Sequence, residues 1–223
     1  MKAAGFFKRS TIVRKAIIFD LDGVICSTDH YHYLAWKALA DRLDIYFDET
    51  INNRLRGVSR MESLEIVLEQ SEKNYTQEEK EQFAFEKNEL YKSLLVQMNE
   101  SDLTDEVKTT LETLRSRGYK LAIGSSSKNT KLILSQIGLA VFFDAIADGT
   151  DIQNSKPHPE VFLLAAQRLG FMPGECLVVE DAKAGIEAAT RGGFESAGLG
   201  EASTHEFVTY PIARFSDLLI IAK

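Results

Sequence analysis

Short apolar runs that alternate with helical patterns are the feature that most constrains the fold of this chain. Ala16–Phe19 is a continuous apolar run, typical of a strand covered on both faces, and it stops at the polar Asp20. Similar runs follow at Lys120–Gly124, Ala145–Ala147 and 176–179. Segments with apolar residues at helical spacing and a closing glycine lie between them, at 105–117, 130–137 and 161–169. This alternation predicts an α/β fold with a Rossmann-like parallel sheet.

A long helical stretch interrupts that alternation between the first and second strands. Residues 31–100 contain no strand candidate, and two capping boxes begin helices within them, at Ser59-Arg60-Met61-Glu62 and Thr76-Gln77-Glu78-Glu79. A helical insert of this size after the first strand predicts a small second domain over the strand ends. We therefore expect an α/β core domain made of residues 1–30 and 101–223, and a helical cap domain of residues 31–100.

Charge and cysteine content exclude several functional classes. The net charge of −7 leaves no broad basic surface for nucleic acid or an anionic membrane. Cys26 and Cys176 lie far apart and outside any CxxC pattern, which argues against a disulfide framework or a zinc site. The first 15 residues lack the apolar core of a signal peptide, and no run approaches the roughly 20 apolar residues that span a bilayer. We expect a cytoplasmic protein with no nucleic-acid or membrane partner, and a monomer.

Polar residues follow the first two predicted strands at the edge where parallel sheets bind ligands. Asp20 and Asp22 come directly after the first strand, and Gly23 permits a turn there. A calcium loop would need glycine and glutamate where Ile25 and Tyr31 stand, so that motif fails, whereas a simple Asx turn remains an alternative. After the second strand, the hydroxyl and amide groups of 125–129 (SSSKN) are suited either to an anion cradle or to ordinary helix capping.

Two more charged segments lie at the same edge. Lys156 precedes Pro157, which keeps it extended, and a fixed ammonium there could neutralise a phosphate, although an exposed lysine is the alternative. Glu180 and Asp181 follow the fourth strand and could complete an oxygen site for Mg²⁺, or simply favour the start of a helix.

The order of these four segments matches the four motifs of the haloacid dehalogenase superfamily. The resemblance covers residues 15 to 200, and it is closest to the β-phosphoglucomutase branch, cap included. The segments that carry it are FDLDGVICSTDHYHYLAWKALA, RGVSRMESL, SSSKN, FDAIADG, SKPHPEVF and EDAKAGIEAA.

The resemblance implies a mechanism through an aspartyl phosphate. Asp20 would be the nucleophile and Asp22 the general acid and base. Mg²⁺ would be held by Asp20, the main-chain carbonyl of Asp22, Asp181 and, directly or through water, Glu180. Lys156 would help to offset the negative charge, while Ser125 and the N–H of Ser126 would hold the transferring phosphoryl group.

The cap is implied to hold a second phosphate. The residues that would do so, or approach the substrate from the cap, are Arg56, Gly57, Val58, Ser59, Arg60, Lys87, Ser127, Lys128 and Asn129. Arg60 alone would otherwise be an ordinary first-turn helix residue. Thr28 matches the hinge, Asn88 the segment of Lys87, and His32 either couples cap closure to Asp22 or only packs near Trp36.

The implied reaction interconverts β-D-glucose 1-phosphate and D-glucose 6-phosphate through the 1,6-bisphosphate, with a small-molecule sugar phosphate as substrate. Three features depart from the branch: Cys26-Ser27 before the hinge, Ala182, and the sequence after Gly200. A phosphatase with the same core is the first rival, and an inactive phosphosugar-binding protein is the second. The RGVSR motif argues against the phosphatase. The presence of Asp20, Asp22, Lys156 and Asp181 argues against the inactive protein.

Overall fold

A six-stranded parallel sheet forms the centre of the part of the chain that the computed structural model describes, residues 14–222. The strand order is β3-β2-β1-β4-β5-β6. This is a doubly wound order, in which the direction of progression reverses beside β1. The predicted Rossmann-like α/β fold is confirmed. The strands are β1 (Ala16–Phe19), β2 (Lys120–Gly124), β3 (Ala145–Ala147), β4 (Cys176–Glu180), β5 (Glu195–Gly198) and β6 (Tyr210–Pro211).

The first four strands are those that the sequence predicted. β4 extends one residue beyond the predicted 176–179, so that Glu180 is the last strand residue. β5 and β6 were not predicted, because β5 has the sequence ESAG and β6 has only two residues. Both pair in parallel with their neighbours at the β4 side of the sheet.

Two apolar layers cover the sheet, because alternate side chains of each strand point to opposite faces. Ile17 and Phe19 pack in one layer with residues of the helices at 105–116 and 218–221. Ile18 packs in the other layer with residues of the helices at 160–169 and 183–191. The helices of the core are α5 (Asp105–Ser116), α6 (Thr130–Gln136), α7 (Glu160–Leu169), α8 (Lys183–Arg191) and α9 (Leu218–Ile221). Full coverage of both faces explains why the strands are continuous apolar runs.

The segment between β1 and β2 is helical, as predicted. It contains α1 (Asp29–Arg42), α2 (Glu49–Asn53), α3 (Arg60–Leu68) and α4 (Gln77–Leu95). These helices share a third apolar cluster around Trp36, Leu39 and Leu64, separate from the two sheet layers. Both capping boxes are confirmed, at Ser59 and Thr76. The division of the chain at residues 31 and 100 stays a prediction, and the tail before Arg14 lies outside the described residues.

None of the helices in residues 14–222 is both long and apolar enough to cross a membrane.

Candidate active site between the sheet and the helical segment

A cavity of about 480 Å³ lies between the carboxyl ends of the strands and helices α1, α3 and α4. Residues from both sides line it, and they include every site residue that the sequence predicted. The core contributes Asp20, Asp22, Ser125, Ser126, Ser127, Lys128, Asn129, Lys156, Glu180 and Asp181, and the helical segment contributes Arg56, Gly57, Val58, Ser59, Arg60 and Lys87. The four strand-end motifs therefore meet at one place, as the parallel sheet requires.

Lys156 is buried between two carboxylates at the floor of the cavity. Its Nζ donates to Oδ1 of Asp20 and, at 2.5 Å, to Oε1 of Glu180, and the residue is only 2% exposed. Burial by itself would lower the pKa of Lys156, but the two carboxylates outweigh it and raise that pKa. The alternative of an exposed lysine is therefore wrong, and the ammonium is fixed beside Asp20.

Three carboxylates gather beside this lysine. One oxygen each from Asp20, Glu180 and Asp181 lies within 4.8 Å of the others. Burial, and then the charges of Glu180 and Asp20, raise the pKa of Asp181 to about 8. One lysine does not balance three acids in a poorly hydrated site, so this cluster fits a hard divalent cation such as Mg²⁺.

Close packing holds the last two acids in place. Oε2 of Glu180 accepts from the backbone N–H groups of Asp181 and Ala182, at 3.0 and 3.1 Å. A Cβ at Gly23 would lie 2.1 Å from Oδ2 of Asp181, and Gly23 has a φ of +82°. Glycine is thus required at the turn after Asp22. Both oxygens of Glu180 have protein partners, and its contact with Mg²⁺, directly or through water, stays a prediction.

Asp22 is not part of the acidic cluster and is hydrogen-bonded to Thr28, the residue before α1. Its carboxylate accepts from the backbone N–H of Thr28 at 2.7 Å and from the Thr28 hydroxyl at 2.5 Å. The Tyr91 hydroxyl donates to the same Thr28 oxygen at 2.9 Å. Burial raises the pKa of Asp22 to about 6, although the hydrogen bonds from Thr28 oppose that shift. A carboxyl group with this pKa can both give and take a proton near neutral pH.

The serine-rich loop after β2 is built as an open cradle. Its backbone is fixed by bonds from Ser127 N–H to Ser125 Oγ at 3.2 Å and from Gly149 N–H to Ser127 O at 3.0 Å. A Cβ at Gly149 would lie 2.2 Å from Ser126 O, so only glycine permits this approach. Asn129, which precedes α6, makes no side-chain cap. This favours the predicted anion cradle over ordinary helix capping.

The opposite wall of the cavity carries two basic groups, Arg60 and Lys87, that form no ion pair within the part of the chain that the structure describes. Within residues 14–222, the guanidinium of Arg60 makes no hydrogen bond and no ion pair. Lys87 is 3% exposed, and its Nζ lies 2.8 Å from Nδ1 of His32 and over the rings of Trp36 and Tyr91. Burial, followed by the charge of Arg60, lowers the pKa of Lys87. Such a group of bases is suited to an anion that enters the cavity.

His32 lies near Asp22 as well as on this wall. Burial and then the charges of Lys87 and Arg60 hold the pKa of His32 well below its usual range, so the ring is neutral. Nδ1 lies 2.8 Å from Nζ of Lys87, and Nε2 lies 3.7 Å from Oδ2 of Asp22. The ring also stacks on Tyr91, with centroids 4.1 Å apart. His32 therefore both packs and lies next to Asp22, so the two alternatives for it are compatible.

Comparison with known proteins agrees with this site. The family model described as "haloacid dehalogenase-like hydrolase" matches residues 14–193. The chain belongs to this haloacid dehalogenase-like (HAD) family. The matched residues include every strand-end motif described above, and they include the helical segment.

Individual relatives within the HAD family differ in their named activities. The β-phosphoglucomutase of Bacillus subtilis is 39% identical over 208 residues, which cover 92% of each chain. The solved structure of β-phosphoglucomutase from Clostridium difficile has a TM-score of 0.86 and 38% identity, covering 92% of this chain and 93% of that one. The fructose-1-phosphate phosphatase YqaB of Escherichia coli is 31% identical and covers 81% of this chain and 93% of its own.

Several residues that line the HAD-family cavity were missed by the sequence reasoning. Among them are Asp29, Asn52, Tyr91 and Glu201. Tyr91 lies one helical turn after Lys87, and that spacing could have placed it on the same face of α4. The others gave no signal, because their place depends on how α1, α2 and the segment after β5 pack around the cavity.

Lys87 leads to a prediction about the stability of this HAD-family protein. Replacing Lys87 with methionine should stabilise the fold by about 1–2 kcal/mol at pH 7, because it removes a buried base that forms no ion pair with an acid among residues 14–222. A base whose pKa is lower in the folded state destabilises the fold below its unfolded pKa, and this penalty fades as the pH rises toward 10.5. The gain in urea unfolding free energy should therefore shrink at pH 10.

The matched control for that measurement is Lys92→Met. Lys92 lies on the same helix, but it is exposed and pairs with Glu89 at 2.9 Å. This change should leave the stability within about 0.5 kcal/mol of wild type. If Lys87→Met is less stable than both wild type and Lys92→Met, the contact of Lys87 with His32 outweighs the cost of burying its charge.

Proposed function

We propose that this protein is a β-phosphoglucomutase that interconverts β-D-glucose 1-phosphate and D-glucose 6-phosphate. The observation that carries the proposal is that polar and basic side chains line two separate walls of one cavity. The core wall has Ser125 and Lys156. The facing wall has Arg60 and Lys87, which form no hydrogen bond or ion pair with an acid among residues 14–222. A bisphosphate has a phosphate for each wall. Two β-phosphoglucomutases among the relatives support the same activity.

Asp20 is the proposed nucleophile toward the phosphate of β-glucose 1,6-bisphosphate. Its carboxylate forms a bond to phosphorus as the bond to the sugar oxygen breaks, and Asp22 gives a proton to that leaving oxygen. In the reverse half-reaction, the ionised Asp22 takes the proton from the incoming sugar hydroxyl, which attacks the aspartyl phosphate. Releasing the bisphosphate, and binding it again in the opposite orientation, exchanges the two positions.

The remaining groups of the core would orient and neutralise the phosphoryl group. Lys156 holds Asp20 and adds positive charge, while Ser125 and the N–H of Ser126 hold phosphoryl oxygens. When bound by Asp20, Asp181, the main-chain carbonyl of Asp22 and, directly or through water, Glu180, Mg²⁺ would reduce the repulsion between the carboxylate and the phosphate. A cytoplasmic monomer with a cap domain of residues 31–100 is part of the same proposal.

A sugar-phosphate phosphatase is the second candidate. It is favoured by the relatives of similar coverage that are named as phosphatases, among them YqaB and the phosphorylated carbohydrates phosphatase of Thermotoga maritima. Such an enzyme would use the same Asp20 and Asp22 with water as the final acceptor. It would have no second phosphate to hold, so Arg60 separates the two candidates.

The Arg60→Ala variant tests this choice. Loss of a charged hydrogen-bonding partner costs on the order of 2–4 kcal/mol, so kcat/KM for the bisphosphate should fall by roughly 30-fold to 1,000-fold. Hydrolysis of acetyl phosphate, which has no far phosphate, should fall by less than about threefold. The two rates are measured as glucose 6-phosphate formed and as inorganic phosphate released.

Arg54→Ala is the control for a lost cap arginine. Arg54 is exposed and pairs with Glu69 at 2.8 Å, and it does not line the cavity. Both activities of this variant should match wild type. A parallel fall of both activities in Arg60→Ala, or a wild-type protein that releases only free phosphate, would replace the mutase with the phosphatase.

A further inference from the structure

Asp29 joins two parts of the helical segment at the edge of the cavity. It is the first residue of α1, directly after Thr28. Its Oδ1 accepts from Nδ2 of Asn52 at 3.2 Å, and its Oδ2 accepts from Nη2 of Arg56 at 2.5 Å. Asn52 is only 5% exposed and lies in α2. Each oxygen of this one carboxylate therefore holds a different part of the segment that leads to Arg60.

We propose that Asp29 is a positioning residue that fixes the loop 56–59 and thereby places Arg60 for the far phosphate. The inference rests on the proposed function and adds a determinant to it. Arg60 is the first residue of α3, so only three residues separate it from Arg56. The ion pair with Asp29 holds this loop at Arg56, and the capping box of Ser59 and Glu62 holds it at the start of α3.

The middle of the loop is held by contact with the core. Gly57 has a φ of +75°, and a Cβ there would lie 3.0 Å from the Cβ of Ala182. The loop thus rests on the segment that follows Glu180 and Asp181. With both ends and the middle fixed, a shift of Arg56 has little room to be absorbed before Arg60. A displacement of about 1 Å at such a group can cost up to about 100-fold in rate.

Asp29 also determines where the positive charge of Arg56 is directed. Asp29 contributes most to the raised pKa of Arg56, and the charges of Asp181 and Asp22 add to it. Without Asp29, those two core acids are the remaining acidic groups that attract the guanidinium. The loop would then be drawn toward the catalytic floor and would carry Arg60 with it.

The Asp29→Ala variant should raise KM for glucose 1,6-bisphosphate by about 5-fold to 30-fold and change kcat by less than about threefold. The effect should vanish when Arg60 is absent: Asp29→Ala/Arg60→Ala should be within about twofold of Arg60→Ala alone. A general loss of structure would instead add to the effect of Arg60→Ala. Asp29→Asn keeps one acceptor oxygen, for Asn52 or for Arg56 but not for both. Its KM for glucose 1,6-bisphosphate should therefore lie between those of wild type and Asp29→Ala.

Asp41→Ala serves as the matched control. Asp41 is an exposed aspartate on the same helix that forms an ordinary surface ion pair with Lys37. Pairs of this type contribute about 0–1 kcal/mol to stability. KM for the bisphosphate should not change in this variant, and thermal unfolding of all variants should show that they remain folded.

A binding measurement separates failure of this inference from failure of the proposed function. Trp36 is the single tryptophan of the chain and lines the cavity, so its fluorescence can report the binding of glucose 1,6-bisphosphate in an Asp20→Asn background. Asp29→Ala should weaken this binding by about 5-fold to 30-fold, and only while Arg60 is present. Additive losses, or unchanged binding, would overturn the inference. A wild-type enzyme without mutase activity would overturn the proposed function, while the binding cycle still decides the role of Asp29.

Discussion

Asp20→Asn is expected to abolish phosphoryl transfer, with a loss of at least about 10⁴-fold, because an amide oxygen cannot replace the carboxylate as the acceptor of a phosphoryl group. Lys156 would keep its partner Glu180, so the floor of the cavity would stay occupied. The measurement is the rate of glucose 6-phosphate formation with Mg²⁺ and bisphosphate primer. Mass spectrometry after exposure to acetyl phosphate should show one added phosphoryl group on wild type and none on the variant.

The change at Asp20 should also alter its acidic neighbours without unfolding the protein. The charge of Asp20 helps to raise the pKa values of Glu180 and Asp181, so both should move back toward their usual range in the variant. Circular dichroism and thermal unfolding check that the fold is retained. Turnover near the wild-type rate, or a phosphorylated Asp20→Asn protein, would eliminate Asp20 as the nucleophile.

Strand-end chemistry was the most predictable part of this protein. The runs at β1 and β4 are buried on both faces, so their sequence is apolar throughout and their ends are visible as abrupt changes to acids. Because the carboxyl ends of parallel strands share an edge, residues far apart in sequence, such as Asp20 and Lys156, could be expected in one site. The capping boxes at Ser59 and Thr76 were predictable for a different reason, because all of their contacts are local.

Contacts between helices could not be predicted in the same way. His32 and Lys87 lie on α1 and α4, and no local pattern indicates that their nitrogens meet at 2.8 Å. Asp29 and Arg56 are likewise separated in sequence and joined by the packing of α2 against α1. β5 and β6 were missed because a short strand of small or polar residues lacks the apolar run that marks a buried strand.

Asp22→Asn is the second substitution for which we expect a large loss of activity. In an Asp22→Asn variant the hydrogen-bond acceptor for the N–H of Thr28 remains, so the start of α1 should be held as before. The carboxyl proton, however, is lost. Sugar-phosphate turnover should therefore fall by about 10³-fold, within the usual range for a general acid and base. The main-chain carbonyl of residue 22 is unchanged, so Mg²⁺ affinity, measured by calorimetry, should stay within about threefold of wild type.

The pH dependence provides an independent test of the assignment. With a pKa of about 6, Asp22 is protonated below that pH and ionised above it. Phosphorylation of Asp20 by the bisphosphate should slow about tenfold per pH unit above 6 in wild type, because the leaving sugar oxygen needs the proton. Acetate leaves acetyl phosphate without such help. Phosphorylation by acetyl phosphate should therefore show no such decline, and in Asp22→Asn it should remain within about tenfold of wild type.

The titration of Asp22 should also appear in the pH dependence of the free energy of unfolding. A carboxyl group whose pKa is raised in the folded state contributes stability below its unfolded pKa and loses it as the pH rises through the folded value. For Asp22 that window runs from 3.8 to about 6. The free energy of unfolding of Asp22→Asn, measured in urea, should therefore rise relative to that of wild type between pH 4 and pH 7. The difference should then level off. If the variant instead loses stability relative to wild type over this range, the ionised carboxylate is the form that the fold favours, and Asp22 would not hold a proton for the leaving sugar oxygen.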